Sequence, residues 1–301
     1  MQHLPFDKAG RFWRGNLHTH STVSDGLLTP EQVCKLYREA DYHFLSITDH
    51  FMSQYGFLLT DARPYQSDEF LTLIGAELHT GTTELGHLWH ILAVGLPLDF
   101  VPNLPGESGP EIAARALAAG AWVAAPHPDW YGLTEGDIIG LGDIHAVEVF
   151  NATSCDHSDK PGGWSIVDVL LMRGKRYFVA ATDDAHFKAV RHDALRGWVW
   201  VKSETLTQDA ILAALKRGEY YSSTGPEIYD ISVYPGDKIV IRCSPASSVF
   251  VTGHGSLSHY VHGQGMREVE LSLKRFNSPF CRVTVRDAHG ERAWSNPIWF
   301  E

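Results

Sequence analysis

His18 and His20 stand one residue apart in Gly15-Asn16-Leu17-His18-Thr19-His20-Ser21-Thr22-Val23-Ser24-Asp25-Gly26. A strand sends alternate side chains to one face, so such a pair reaches a single cation as a two-tooth chelate. Residues of metal-ligating type continue along the chain in Thr48-Asp49-His50, Gly75-Ala76-Glu77, His90, Pro126-His127-Pro128 and Asp183-Asp184-Ala185-His186. In the last of these, the one-residue gap puts Asp184 and His186 on one face and favours Asp184 over Asp183 as the ligand. With Asp25, the candidate ligands are His18, His20, Asp25, His50, Glu77, His90, His127, Asp184 and His186. Imidazole plus carboxylate suits zinc, manganese or iron. An open mix without thiolate points to catalysis rather than to a closed structural site.

Short apolar runs stand directly before several of these residues: 44–47 before His50, 70–74 before Glu77, 121–125 before His127 and 177–181 before Asp184. They read as buried strands. The run 91–94 follows His90 directly and favours it over the neighbouring His79 and His87. Ligands delivered one after another from strand C-termini are what an α/β barrel uses to build a site on one face. Thr29-Pro30-Glu31-Gln32 is a capping box with proline at the first helical position, and Ser108-Gly109-Pro110-Glu111 starts a second helix that Gly120 ends. Strands at 145–149 and 197–202 and helices at 164–173 and 207–217 complete an alternation that predicts parallel βα units. After Gly225-Pro226 the period changes to two, as in 269–273 and 281–285, with Asp287-Ala288-His289-Gly290 as a hairpin turn. The expected organisation is a larger domain at 1–225 that carries the candidate ligands and a small β-sandwich-like domain at 226–301 packed onto it.

The order HTHSTVSDG, ITDH, GAEL, a lone histidine before an apolar strand, PHP and DDAH resembles the PHP (polymerase and histidinol phosphatase) family over roughly residues 12 to 225. Tyr221-Ser222-Ser223-Thr224-Gly225-Pro226 and Trp294-Ser295-Asn296-Pro297-Ile298 are similar to its carbaryl-hydrolase-like branch. The resemblance implies an α/β fold, a distorted PHP-type (β/α) barrel with its metal site at strand C-termini. It implies two or three divalent metals (Zn, Mn or Fe) per chain. One would sit on His18, His20, Glu77 and Asp184, and a second would share Glu77 as a bridge and add His90 and His127. A third would take Asp25, His50 and His186. The implied activity is that of a phosphoesterase with a metal-bridging hydroxide as nucleophile, in which Glu77, Asp184 and His186 are catalytic. His186 or a metal-bound water would protonate the leaving oxygen. The branch likeness offers a carboxyl-ester or carbamate hydrolase as the alternative. A non-catalytic metal-binding module is a third reading, disfavoured because all nine positions hold competent ligands. Too few residues separate His127 from Asp184 for the inserted lid of the family's nucleotide phosphatases, which implies an open site.

With 301 residues, 44% of them hydrophobic, the chain can bury a substantial core. No stretch approaches the roughly 20 apolar residues of a membrane span. Met1-Gln2-His3-Leu4-Pro5-Phe6-Asp7 lacks the basic and apolar regions of a secretory signal, so the expected location is cytoplasmic. Cys34, Cys155, Cys243 and Cys281 form no CxxC pair and read as reduced thiols, Cys155 in a loop near the site. A net charge of −11 argues against general nucleic-acid binding. Bound cations would outweigh the carboxylates of Asp25, Glu77 and Asp184 and attract an anion, so the expected partner is a small anionic ester. Lys188, Arg191 and Arg196 are the candidate substrate-binding residues, and Trp130, Tyr131 and Trp164 candidate pocket walls. Asp183 and Asp49 are candidates for orienting a ligand histidine. The remaining histidines read as surface or core residues.

Overall fold

The computed structural model describes residues 4–300. Its first part runs β1 (Arg11–Asn16), α1 (Pro30–Glu39), β2 (Phe44–Ile47), β3 (His50–Phe51), β4 (Leu71–Leu78), β5 (Ile91–Val94), α2 (Gly109–Ala118), β6 (Trp122–Ala125), α3 (Pro128–Tyr131), α4 (Glu135–Gly140), β7 (Ala146–Asn151), α5 (Ala152–Ser158), α6 (Trp164–Met172), β8 (Phe178–Thr182), β9 (Trp198–Ser203), α7 (Gln208–Lys216) and β10 (Tyr220–Ser223). Strands follow from there: β11 (Ile228–Tyr234), β12 (Lys238–Thr252), β13 (Ser258–Ser272), β14 (Phe280–Arg286), β15 (Arg292–Ser295) and β16 (Ile298–Trp299). The expected capping box of Thr29 with Gln32 is present, and the helix start expected at Ser108 is a second capping box, with Glu111. Gly120, at φ +88°, follows the second helix. Among the described residues, no helix is long and apolar enough to cross a membrane.

The expectation of uniformly parallel βα units needs correction. β1, β2 and β4 are parallel, as are β6, β7 and β8. β5, however, is antiparallel to both β4 and β6, and β9 is antiparallel to β1. Neither the β4–β5 connection nor the β8–β9 connection contains a helix. A chain that returns without a crossover helix comes back antiparallel. Because β5 runs backwards, its N-terminal end lies at the same edge as the C-termini of its neighbours. That is how His90, ahead of its strand, reaches the site.

The barrel expectation also needs correction, because the sheet is open. Its order is β11-β12-β14-β15-β10-β9-β1-β2-β4-β5-β6-β7-β8, and β8 forms no ladder with β9 or β10. β9 occupies the edge of β1 over residues 11–15, leaving only the residues beyond it for β8. There the Asp184 N–H donates to the His18 carbonyl (2.8 Å) and the His20 N–H to the Ala185 carbonyl (2.9 Å), beside an isolated bridge from Thr19 to Ala185. Along the rest of the gap, side chains satisfy the backbone. Ser222 on β10 donates to the Val179 carbonyl (3.0 Å) and accepts from the Ala181 N–H (3.1 Å). Asn296 accepts from the Val179 N–H (2.8 Å) and donates to the carbonyls of Gly218 and Tyr220 (3.0 Å each).

Leu17, Phe44, Leu73, Leu92, Trp122 and Val199 form one buried cluster, with Ile211 and Leu215 of α7 packed among them. α7 covers the edge opposite the candidate ligands, and it comes close: a Cβ on Gly95 would sit 2.6 Å from Leu212 Cδ1. A separate core of Ile231, Ile241, Val249, Val251, Val283 and Val285 lies within the strands after residue 226. These strands are hydrogen-bonded into the same sheet through β15 and β10.

Asn296→Ala would strand three buried backbone groups, each of which costs about 1 kcal/mol or more when unpaired. The expected loss is about 3 kcal/mol in denaturant unfolding, and a loss under about 1 kcal/mol would show that the open seam does not depend on this residue.

Candidate metal centre

The edge formed by the ends of β1, β3, β4, β6 and β8 gathers all nine candidate ligands, together with His79. Glu77, near the end of β4, is 1% exposed. Its Oε1 lies 2.7 Å from His90 Nδ1 and 3.0 Å from His127 Nε2. Its Oε2 lies 2.7 Å from His50 Nδ1 and 3.6 Å from the Nε2 of both His20 and His79. Asp184 Oδ1 lies 2.9 Å from His20 Nε2 and 3.2 Å from His18 Nε2. At the outer end, Asp25 Oδ1 lies 3.4 Å from His50 Nε2 and 3.3 Å from His186 Nε2. The His186 ring stacks on that of His20, with centroids 4.3 Å apart.

Donor atoms about 2.0–2.2 Å from one cation stand roughly 3 Å from one another, the spacing seen here. His18 Nε2, His20 Nδ1, Asp25 Oδ1 and His127 Nδ1 are buried without a hydrogen-bond partner. Of these, His18 Nε2 and Asp25 Oδ1 face donor atoms of neighbouring candidates at the distances above, so the arrangement fits divalent cations. Five overlapping groups could hold a cation. They are His18, His20 and Glu77; His18, His127 and Asp184; Glu77, His90 and His127; His50, Glu77 and His79; and His20, Asp25, His50 and His186. His79, set aside in favour of His90, is thus brought in beside it. Its Nδ1 lies 3.1 Å from the Trp89 carbonyl, leaving Nε2 toward His50 at 2.8 Å.

Glu148 was not anticipated as part of this site, and it holds the His18 side chain and the His127 backbone. Its Oε1 lies 2.8 Å from His18 Nδ1 and accepts from the Thr182 hydroxyl (2.7 Å). Its Oε2 accepts from the His127 N–H (2.8 Å) and the Asn151 amide (2.9 Å). A bulge in β7, where Glu148 and Phe150 face the adjacent residues Ala180 and Ala181, lets Glu148 and Asn151 meet on one face. A charged residue inside the apolar run Ala146-Val147-Glu148-Val149 was the available sequence signal.

Asp183 does not orient a histidine. It accepts from Tyr37 (2.6 Å), Asn16 (2.7 Å) and the N–H groups of Leu195, Arg196 and Gly197 (2.8, 2.8 and 2.7 Å). It therefore pins the β8–β9 loop, and burial pushes its carboxyl up to about 6 despite those donors. Asp49 likewise holds backbone in place, the loop carrying Asp25 through Ser21 and Ser24 and the segment between β3 and β4 through Thr60. Two candidate ligands, His127 (φ +32°) and Asp184 (φ +54°), sit in the left-handed region, a strain that surrounding structure has to impose.

Lys188, Arg191, Trp130 and His157 line the cleft over the cluster, a cavity of about 190 Å³. Lys188 Nζ lies 3.5 Å from Asp25 Oδ2, and Arg191 donates to His157 Nδ1 (3.3 Å). Tyr131 donates to the His90 carbonyl (3.3 Å). Arg196 and Trp164 line a different cavity, and Cys155 lies there too, on α5 rather than in a loop. All four cysteines are free thiols.

Burial works against charge on these imidazoles, and the carboxylates decide which keep it. Glu77 and Asp25 overcome burial at His50 and push it up to about 10. Asp184 and Glu148 do the same at His18, and Asp25 and Asp184 at His186, so both are raised. At His20, burial and the charges of His186 and His50 prevail and lower it to about 4. Burial lowers His90 to about 3 despite Glu77.

No protein-family model matches the chain, and no curated protein matches it by sequence. Among solved structures, it resembles a two-domain protein from Bacteroides vulgatus described as containing a predicted PHP-like metal-dependent phosphoesterase, at 15% identity and a TM-score of 0.54, over 91% of this chain and 90% of that one. That likeness shows a shared fold. A proposed metal-dependent phosphoesterase from Bifidobacterium adolescentis matches over 68% of this chain and 96% of its own, at 15% identity and a TM-score of 0.44. An amidohydrolase from Chromobacterium violaceum matches over 59% and 90%, at 16% identity and a TM-score of 0.45.

Glu148→Gln keeps the shape but loses an acceptor and the charge facing His18, and metal affinity should fall on the order of 10–100-fold in a competition titration against a chelator. Unchanged affinity would refute the orienting role. In protein stripped of metal, His50 at about 10 holds a proton at neutral pH that a cation must displace. Its folded pKa exceeds the unfolded value, so its contribution to stability is full below the unfolded pKa and is lost as pH rises through about 10. Calorimetric titration with manganese at neutral pH should show proton release, seen as a heat that varies with the buffer's ionisation enthalpy, and an affinity that increases with pH. A buffer-independent heat would contradict this.

Proposed function

We propose that the chain is a PHP-type metal-dependent hydrolase acting on a phosphate ester. The observation that carries the reading is Glu77, a buried carboxylate with imidazoles of His50, His90 and His127 within 3.0 Å of its two oxygens. One cation would be held by His18, His20, Glu77 and Asp184, a second by Glu77, His90 and His127, and a third by Asp25, His50 and His186. His79 is an additional ligand candidate beside His50 and Glu77. Bound divalent cations of this kind, zinc, manganese or iron, would ionise a water near neutral pH and act as Lewis acids toward the ester.

The chain's own side chains do the rest. Lys188 and Arg191, at the mouth of the cleft, attract and orient an anionic group, Arg191 with the planar donor fork suited to phosphate. Trp130 and Tyr131 wall the site on the His90 and His127 side and exclude water from the apolar part of the ester. His186, beside Asp25 at the outer end, would give the leaving oxygen a proton from Nε2 where the third cation is not bound, since Nδ1 is held at the Asp184 carbonyl (2.7 Å) and a bound cation would take Nε2. The division at residues 225 and 226 is part of the same proposal, the second unit acting as a buttress through β15 and Asn296. The free thiols suit the reducing, cytoplasmic setting proposed for it.

The motifs at 221–226 and 294–298 support membership of the carbaryl-hydrolase-like branch and hence a carboxyl-ester or carbamate substrate as the second reading. Initial rates of manganese-loaded protein on nitrophenyl phosphate monoester, diester, carboxyl ester and carbamate separate the two, with Asp184→Asn as the blank. We expect turnover of a phosphate ester that disappears in the variant, and turnover confined to the carboxyl ester or carbamate would select the second reading. His186→Ala should slow the reaction on the order of 10²–10⁴-fold, as loss of a proton donor does. Glu77→Gln should cost more, because it removes a shared carboxylate, and near-wild-type rates in both variants would sink the assignment.

A further inference from the structure

A second cavity, about 640 Å³, opens between the β7–α5 segment and the strands β12, β14 and β15. Arg196, Arg282, Arg286 and Arg292 line it, against a single lining carboxylate, Glu291. Arg282 is committed: it forms a bidentate pair with Asp168 (2.9 and 2.8 Å) and lies 4.0 Å over the Trp164 ring. The other three have no carboxylate within ion-pair distance among the described residues. Arg196 donates to the His192 carbonyl (3.1 Å), Arg286 to the Ser248 hydroxyl (2.9 Å) and Arg292 to the Gly290 carbonyl (3.1 Å), each using only part of its donor fork. The Glu291 carboxylate is engaged by the Thr224 hydroxyl.

In a chain of net charge −11, this concentration of uncompensated guanidinium is a local inversion of sign. Like charges gathered in one concavity repel, and an anion relieves that repulsion. The walls between the arginines are aromatic. Phe150 and Trp294 stack with centroids 6.4 Å apart, Trp164 lies 6.3 Å from Trp294, and Arg286 lies 5.5 Å over Phe250. Two lining residues carry buried polar atoms without a partner, Trp164 Nε1 and Thr252 Oγ1. Size, apolar faces and a few convergent donors are the features of a site for a small organic ligand.

We propose that this cavity binds an aromatic or heteroaromatic anion, its phosphate, sulfonate or carboxylate group held by Arg196, Arg286 and Arg292 and its ring laid against the aromatic wall. The site is separate from the metal cleft. Thr153, Ser154 and His157 of the α5 segment line the cleft, and Cys155 lines the second cavity. The β8–β9 loop divides in the same way, with Lys188 and Arg191 on one side and Arg196 on the other. None of the nine candidate ligands lines the second cavity, so the proposal stands independently of the reaction assigned to the first.

The test is calorimetric titration of the metal-loaded protein with 1-naphthylphosphonate, whose carbon–phosphorus bond a phosphoesterase does not hydrolyse, alongside inorganic phosphate and neutral 1-naphthalenemethanol. Support is binding that survives in Glu77→Gln, falls about ten-fold or more in Arg286→Glu and in Arg292→Glu, and exceeds that of both control compounds. Arg292 is exposed, so its variant is expected to fold even if Arg286→Glu does not, and unchanged ester turnover serves as the check on both. No heat at millimolar concentration, unchanged affinity in the folded arginine variants, or equal affinity for inorganic phosphate would overturn the proposal. Loss only in Glu77→Gln would do so as well, by placing the ligand in the metal cleft.

Discussion

Glu77 is an almost wholly buried carboxylate, and burial of a lone charge costs several kcal/mol unless opposite charge surrounds it. Here His50 on β3, raised to about 10, brings the opposing charge, and His90 ahead of β5 and His127 after β6 bring ring nitrogens within 3.0 Å of the other oxygen. Asp184 and Asp25 compensate the imidazoles farther out, and the hydrogen-bonded neighbours extend to Glu148 and Asp183. Each buried acid carries either several donors or several imidazoles. The carboxyl edge of the sheet is therefore one electrostatic unit, and the strands must hold their relative positions for it to balance.

Local irregularities make that unit possible. An ideal strand would turn Asn151 away from Glu148, and the bulge in β7 returns it. Regular right-handed backbone would not aim His127 and Asp184 as they stand, and the left-handed conformations at both do so. Such strain persists where surrounding contacts over-determine the backbone. Those contacts are present, since the His127 N–H is held by Glu148 and the Asp184 N–H by the His18 carbonyl. The open seam between β8 and β10 is tolerated for the same reason, with Ser222 and Asn296 supplying the hydrogen bonds a strand would have made.

The segments after β7 and β8 serve two cavities of opposite character. On one side they meet imidazoles and carboxylates suited to cations. On the other they meet guanidinium groups and aromatic rings suited to an anion. Asp183 links the two in covalent terms, because it fixes the backbone of residues 195–197 while its chain neighbour Asp184 faces the metal cluster.

The candidate ligands were legible in the chain because their spacing reflects strand geometry: His18 and His20 alternate on one face, and apolar runs stand before His50, Glu77, His127 and Asp184. The helix starts at Thr29 and Ser108 were legible for a similar reason, as a capping box is a contact between residues three apart. Glu148 was not, because its partners His18 and Thr182 lie 130 and 34 residues away and nothing local separates an orienting carboxylate from any other buried acid. His79 was set aside because the run after His90 marks a strand start but cannot show that a loop folds back to bring both imidazoles to one carboxylate. Strand direction at β5 and β9, the open seam and the gathering of Arg196, Arg286 and Arg292 belong to the tertiary structure alone. Each depends on which distant segment occupies a strand's edge, and a one-dimensional pattern of residue types records the face a side chain takes but not the neighbour it meets there.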